Sequence, residues 1–244
     1  MRSVLPLMIV LLLSGCGFFY RTLLGVDSTP DWKSDKEIIA DFEKFGIPAS
    51  NRFVLDTASY EAAVTSELRY FIDSIQTNGI VLDSLEKKRV LKIANDNLQP
   101  TQIRYFDANG EPVFKMVNCY IDKAILRFDW NLHDCFATFP PTYPDPRLEE
   151  GNKPLSYFLP HFTDLTGHRL PALPKADYYA VIFWNDFMTR PSRNLIKTIT
   201  AYHDQHADKD IYTLYVNNHN AELWSMLDAA QKAEMKRYLS AGNN

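Results

Sequence analysis

Glycine is scarce in this chain, with 9 residues in 244, and no Gly-x-Gly-x-x-Gly, Walker loop or Gly-x-Ser-x-Gly turn occurs. Phosphate cradles and nucleophile elbows need glycine where the backbone approaches a ligand or turns sharply. Their absence excludes the usual nucleotide-binding and hydrolase sites. His-Glu-x-x-His is missing too, and with it one common zinc site. Cysteine is limited to Cys16, Cys119 and Cys135, with no Cys-x-x-Cys. Basic residues are not in excess: 26 Lys and Arg stand against 30 Asp and Glu, a net charge of -4. A chain without a basic face has no electrostatic footprint for nucleic acid. What is present, 46% hydrophobic and 13% aromatic residues, suits a rigid, well-packed core.

The N-terminus is organised differently from the rest. Met1-Arg-Ser3 is a short positive leader, Val4 to Leu13 is apolar, and Leu13-Ser-Gly-Cys16 follows directly. The apolar run is too short for a bilayer, which takes about 17–25 residues, but it suits the core of a signal peptide. The ending Leu13-Ser14-Gly15-Cys16 resembles the lipobox of bacterial lipoproteins. In that family the leader is cut before the cysteine, whose thiol and new amino end are acylated. The resemblance implies lipidation at Cys16, a signal peptide over 1–15 and a tether over 16–31. An uncleaved anchor over Val4 to Tyr20 is the rival reading, weakened by Arg21 and by Gly15 and Gly17. Gly17 stands where inner-membrane retention uses aspartate, so the resemblance favours the outer membrane, facing the periplasm.

Downstream, Ser34 and Glu37 have the capping-box spacing before Ile38, Ile39, Phe42 and Phe45, and Gly46 and Pro48 end that helix. Helical periodicity continues over Ser59 to Gln76 and, more weakly, over Asp83 to Asn95. Asn109-Gly110 between two apolar runs marks a β-hairpin, since both turn residues need positive φ. A further strand, Ala124 to Trp130, would extend it. Four prolines between Pro140 and Pro146 read as an extended connector. Tyr178-Tyr-Ala-Val-Ile-Phe-Trp184 has no polar alternation, as in a strand buried on both faces. A turn, an amphipathic helix and Ile211 to Val216 complete one β-α-β unit, and Ala221 to Leu239 reads as a closing helix. The expected fold is α/β with a mixed sheet: helices over 32–98 pack on a sheet built from 99–244.

Phe162-Thr-Asp-Leu-Thr-Gly167 leading into the strand that ends Phe183-Trp184 resembles the entry to the thioredoxin-like fold of envelope thiol-disulfide oxidoreductases. The likeness covers about a quarter of the chain, Phe162 to Val216. The chemistry of that family is not carried over. Met188 stands about where the attacking cysteine would, and no proline follows Pro191 to form the family's cis-proline loop. The hairpin at Asn109-Gly110 would have to supply the antiparallel strands.

Three constellations remain. Cys119 and Cys135 could form a structural disulfide worth about 3 kcal/mol, stay as buried thiols, or act as a redox pair. His203 and His206, three apart near Asp204, Asp208 and Asp210, could hold a metal, although they fall in the last helical turn, where a solvated, protonated histidine suits the helix dipole. Asp186 and Arg190, in the turn after the buried strand, lie where open α/β sheets bind ligands, or simply pair with each other. The resulting expectation is a non-catalytic, membrane-anchored binding or assembly module, without a cofactor and with a possible envelope protein partner. A thiol-disulfide enzyme using Cys119 and Cys135, or a metal protein using His203 and His206, are the alternatives.

Overall fold

The computed structural model describes residues 27, 30–56, 58–63, 66, 77, 83–119, 128–170 and 172–241. Its main elements are α1 (Asp35–Lys44), β1 (Arg52–Leu55), α2 (Ser84–Asn97), β2 (Gln102–Asp107), β3 (Pro112–Val117), α3 (Leu155–Phe158), β4 (Phe162–Thr163), β5 (Tyr178–Trp184), α4 (Thr189–Gln205), β6 (Ile211–Asn217), α5 (His219–Met226) and α6 (Ala229–Ala241). The strands form one mixed six-stranded sheet in the order β3-β2-β5-β6-β1-β4. The lipobox, the leader and Cys16 lie outside the described residues, and no helix among those described is long and apolar enough to cross a membrane.

β5 lies near the middle of the sheet because its side chains have no wet face to offer. Ala180, Ile182 and Trp184 point into one core with Ile38 and Phe42 of α1 and Leu195, Ile196 and Ile199 of α4. Tyr179, Val181 and Phe183 point into a second core with Phe158, Phe162, Leu214 and Ala221. This is the two-sided burial that an unbroken run of strand-formers demands. β6 pairs parallel to β5, from Tyr178 opposite Ile211 to Trp184 opposite Asn217, with α4 as the crossover. On the other side β2 pairs antiparallel to β5, Gln102 opposite Phe183. β3 completes the hairpin, with Gly110 at φ 81° in its turn; Asn109 is not at positive φ, so the two-residue turn expected from Asn109-Gly110 is replaced by a longer one, closed by Gly110 N on Asp107 O.

α1 begins as its sequence dictates. The Ser34 hydroxyl caps the Glu37 amide while the Glu37 carboxylate returns to the Ser34 amide, and Gly46 leaves the helix at φ 69°. Phe42 then meets Trp184 edge-on at 4.9 Å.

Four expectations need correction or fall short. The region 32–98 is not purely helical: Arg52–Leu55 is a strand parallel to β6, and β4 pairs antiparallel with it. Strands of four and two residues are too short to show a period. The closing helix is two helices, because Asp228 starts a new one. Its carboxylate accepts from the Ala230 and Gln231 amides, and the Gln231 side chain accepts from the Asp228 amide. Of the helix over Ser59 to Gln76, residues 58–63 are described and helical, and most of the remainder lies outside the described residues. Of the strand over Ala124 to Trp130, residues 124–127 also lie outside them. Trp130 itself is in a bend, fully buried, with its indole N–H donating to Pro191 O at 3.2 Å.

Candidate functional site

The carboxyl ends of β5 and β6 carry the densest polar network in the neighbourhood of the β-α-β unit. After Trp184 and Asn217 the backbone has no further strand partners, so side chains must satisfy it. Asn185, fully buried, accepts the Met188 amide at 2.9 Å and donates to Pro100 O at 3.0 Å and Asn218 Oδ1 at 3.1 Å. Asn218 donates to the same Pro100 carbonyl at 2.9 Å and to Glu222 Oε1 at 3.1 Å. The loop ending in Pro100-Thr101, which opens β2, therefore lies across these strand ends. Its peptide bond before Pro100 is trans, so it is not the cis-proline loop of the thioredoxin-like family.

Thr101, also in that loop, donates its hydroxyl to the Met188 thioether at 3.7 Å. A methionine sulfur is a weak acceptor that fills space and does not react as a thiolate would. Asp186, the next residue after Asn185, does not pair with Arg190. Its carboxylate takes Lys33 at 2.8 Å and Lys44 at 2.9 Å, and Lys33 also bonds Asp41. Burial would raise the Asp186 carboxyl, but the hydrogen bonds from Lys33 and Lys44 outweigh it and hold it down at about 2. The turn is thus a neutralised ion network that ties α1 to β5.

His219 and Asn217 complete the site. Asn217 Oδ1 accepts the His219 amide at 3.1 Å, and His219 Nε2 bonds Asp31 O at 2.9 Å. Burial lowers the His219 pKa. A ring that donates from Nε2 to a carbonyl keeps Nδ1 as an acceptor. That Nδ1, and the amide Asn217 Nδ2, are buried with no hydrogen-bond partner. One open donor and one open acceptor are what a small polar group such as a hydroxyl can engage. Glu222, raised by burial to about 8, is held as a neutral acid near pH 7. Sequence reading missed this set. Its signal was Asn217-Asn218-His219, a polar run directly after a buried strand.

The other sequence candidates are placed elsewhere. Cys119 is exposed and Cys135 is buried, both as free thiols. Burial pushes the Cys135 thiol up to about 12, and it donates to Trp130 O at 3.4 Å. A buried thiol so raised has little thiolate character at neutral pH. His203 is not a solvated, protonated side chain. It faces the sheet, with Nε2 2.8 Å from Tyr105 Oη and Nδ1 3.4 Å from Thr213 Oγ1. Both nitrogens are engaged, and burial lowers its pKa to about 4. His206 packs its ring on Phe139 and Tyr202. Among the described residues no group of His, Cys, Asp and Glu is arranged to hold a metal.

Comparison with protein-family models, with curated proteins and with solved structures finds no match to this chain.

Proposed function

We propose that this chain is a lipoprotein of the bacterial envelope, held at the outer membrane by acyl chains on Cys16, whose folded part is a non-catalytic binding module facing the periplasm. Within this reading β3, β2, β5 and β6 with α4 are a thioredoxin-like core whose antiparallel hairpin precedes the β-α-β unit. The observation that supports it best is the contact of Thr101 with Met188 at 3.7 Å. It puts a thioether and a hydroxyl at the helix start, where a dipole would otherwise activate a thiolate. At the end of β6, the open donor of Asn217 and the open acceptor of His219 suit recognition of a small polar group. The membrane and an envelope protein are the partners; the net charge of -4 does not favour nucleic acid.

Two measurements test this. Growth of a diderm host with an alkyne-bearing fatty acid labels the wild-type chain and sends it to the outer-membrane fraction, while Cys16→Ser is unlabelled and leaves that fraction. Equal labelling of the two removes the anchor. The purified chain leaves a small-molecule disulfide unreduced in the presence of excess thiol. Turnover that is lost in Cys119→Ser or Cys135→Ser removes the non-catalytic reading.

A further inference from the structure

On the face of the sheet away from α1 and α4, two cations stand directly opposite each other: Arg104 of β2 and Lys115 of β3. Both are buried, at 2% and 1% exposure. Like charges facing each other across an antiparallel pair repel, and a buried charge is tolerated when a counter-charge and hydrogen bonds replace its water. Here the replacements are neutral. Arg104 donates to Gln102 Oε1 at 2.8 Å and Asn97 Oδ1 at 2.9 Å, and its guanidinium lies 4.8 Å from the centre of the Phe158 ring. Lys115 donates to the Glu150 carbonyl at 3.1 Å. Among the described residues neither has a carboxylate within 4.0 Å.

The nearby acids are directed elsewhere. Asp96 takes Lys92 at 2.8 Å and the Cys119 thiol at 3.6 Å, and the Glu150 carboxylate takes Arg89 at 2.8 Å. The C-terminal end of α2, at Asn97, offers some negative dipole, but a helix end carries about half a charge and two full cations lie beneath it. The neighbours of the pair suit a ligand. Tyr60, Tyr143 and Tyr157 lie within electrostatic reach of Arg104. The Tyr143 hydroxyl accepts Asn152 Nδ2 at 2.7 Å, which leaves its own O–H to donate. Tyr60, Asn97 and Tyr157 are half-buried, and the Tyr60 hydroxyl donates to Asn97 O at 3.4 Å.

We propose that Arg104 and Lys115 are the floor of a binding site for one oxyanion group, a carboxylate or a phosphate on a small molecule, with the Tyr143 hydroxyl as a neighbouring donor. A planar guanidinium opposite a compact ammonium is the pairing that such a group takes. The site lies on the opposite face of the sheet from Asp186 and does not depend on the reading of the strand ends.

Thermal unfolding of the full-length chain in detergent tests it, with inorganic phosphate or acetate added against chloride at constant ionic strength. One of the two anions raises the midpoint saturably, by about 5–10 °C at about 100 times its Kd, and the stronger of them identifies the group. Lys115→Met keeps the side-chain length and removes the charge. It folds with an unliganded midpoint equal to or above that of the wild type, and it loses the anion-dependent shift. Lys236→Met, on α6, keeps the shift. Equilibrium dialysis of radiolabelled phosphate and acetate against the wild-type chain gives one bound equivalent and does not depend on any variant folding. No saturable shift and no bound equivalent with either anion overturns the proposal. So does a shift that survives undiminished in Lys115→Met.

Discussion

Lys33 and Asp186, 153 positions apart in sequence, meet at 2.8 Å. The contact fastens the segment before α1 to the turn that follows β5, and Asp41 and Lys44 of α1 share it. Asp41 is buried and Lys33 and Asp186 are partly buried, so their pairs are screened less than that of the exposed Lys44.

Asp186→Asn therefore lowers stability at pH 7 by about 2 kcal/mol, read as a fall in the urea midpoint. The folded carboxyl titrates at about 2, and an unfolded aspartate titrates near about 3.9. The contribution is complete above the unfolded value and is lost as pH falls through the folded one. Wild type and variant thus converge as the pH approaches that lower value. A gap that persists there shows that the residue acts through packing instead of charge.

His203 gives a different pH dependence. Its folded pKa of about 4 lies below the unfolded value of about 6.5, so the unfolded chain binds the proton first. Stability is full above the unfolded value and declines through the window between the two, by up to about 3 kcal/mol. His203→Gln, which can still bond Tyr105, flattens that decline in urea titrations across the window. An unchanged slope would mean that some other group carries it.

The cap of α1 is a local test. Ser34→Ala removes the oxygen that accepts the Glu37 amide and costs about 1 kcal/mol. Differential scanning calorimetry should show a lower midpoint with no loss of fold. A midpoint within error of the wild type would mean that tertiary contacts alone hold the helix start.

The thiols separate by accessibility. In the acylated chain Cys16 is blocked, so one thiol, Cys119, reacts with a maleimide in the native state, and Cys135 joins it only in denaturant. Intact-mass measurement counts the adducts. A native chain that takes up none contains the disulfide that the sequence left open.

The β-α-β unit, the hairpin near Asn109-Gly110 and the capped start of α1 were legible because each carries a local signal: an unbroken apolar run, a turn glycine between apolar runs, a reciprocal cap; the turn type was not, since Asn109 does not take positive φ. β1 was not legible, since Arg52 to Leu55 is too short for a period and gains its place by pairing with β6. The break at Asp228 was missed because the apolar stripe continues across it. Arg104 and Lys115 sit at alternating positions that suggest a solvated face; only the arrival of α2 and the 150–152 loop over that face buries them. His203 shows the same limit. Its position in the last turn of α4 favours water, and the proximity of Tyr105, 98 residues earlier, decides otherwise.

The backbone before α1 has a directional consequence. Asp27 donates its amide to Phe187 O, Asp31 is held by His219, and Lys33 exchanges two hydrogen bonds with Asn220. The chain thus leaves the folded body beside the starts of α4 and α5. With acyl chains on Cys16, the 15 residues from there to Asp31 span at most about 50 Å. Under the proposed anchoring, the pole that holds Asn217 and His219 would be the one nearer the point of attachment, and the hairpin turn at Gly110 would lie at the far end of the sheet.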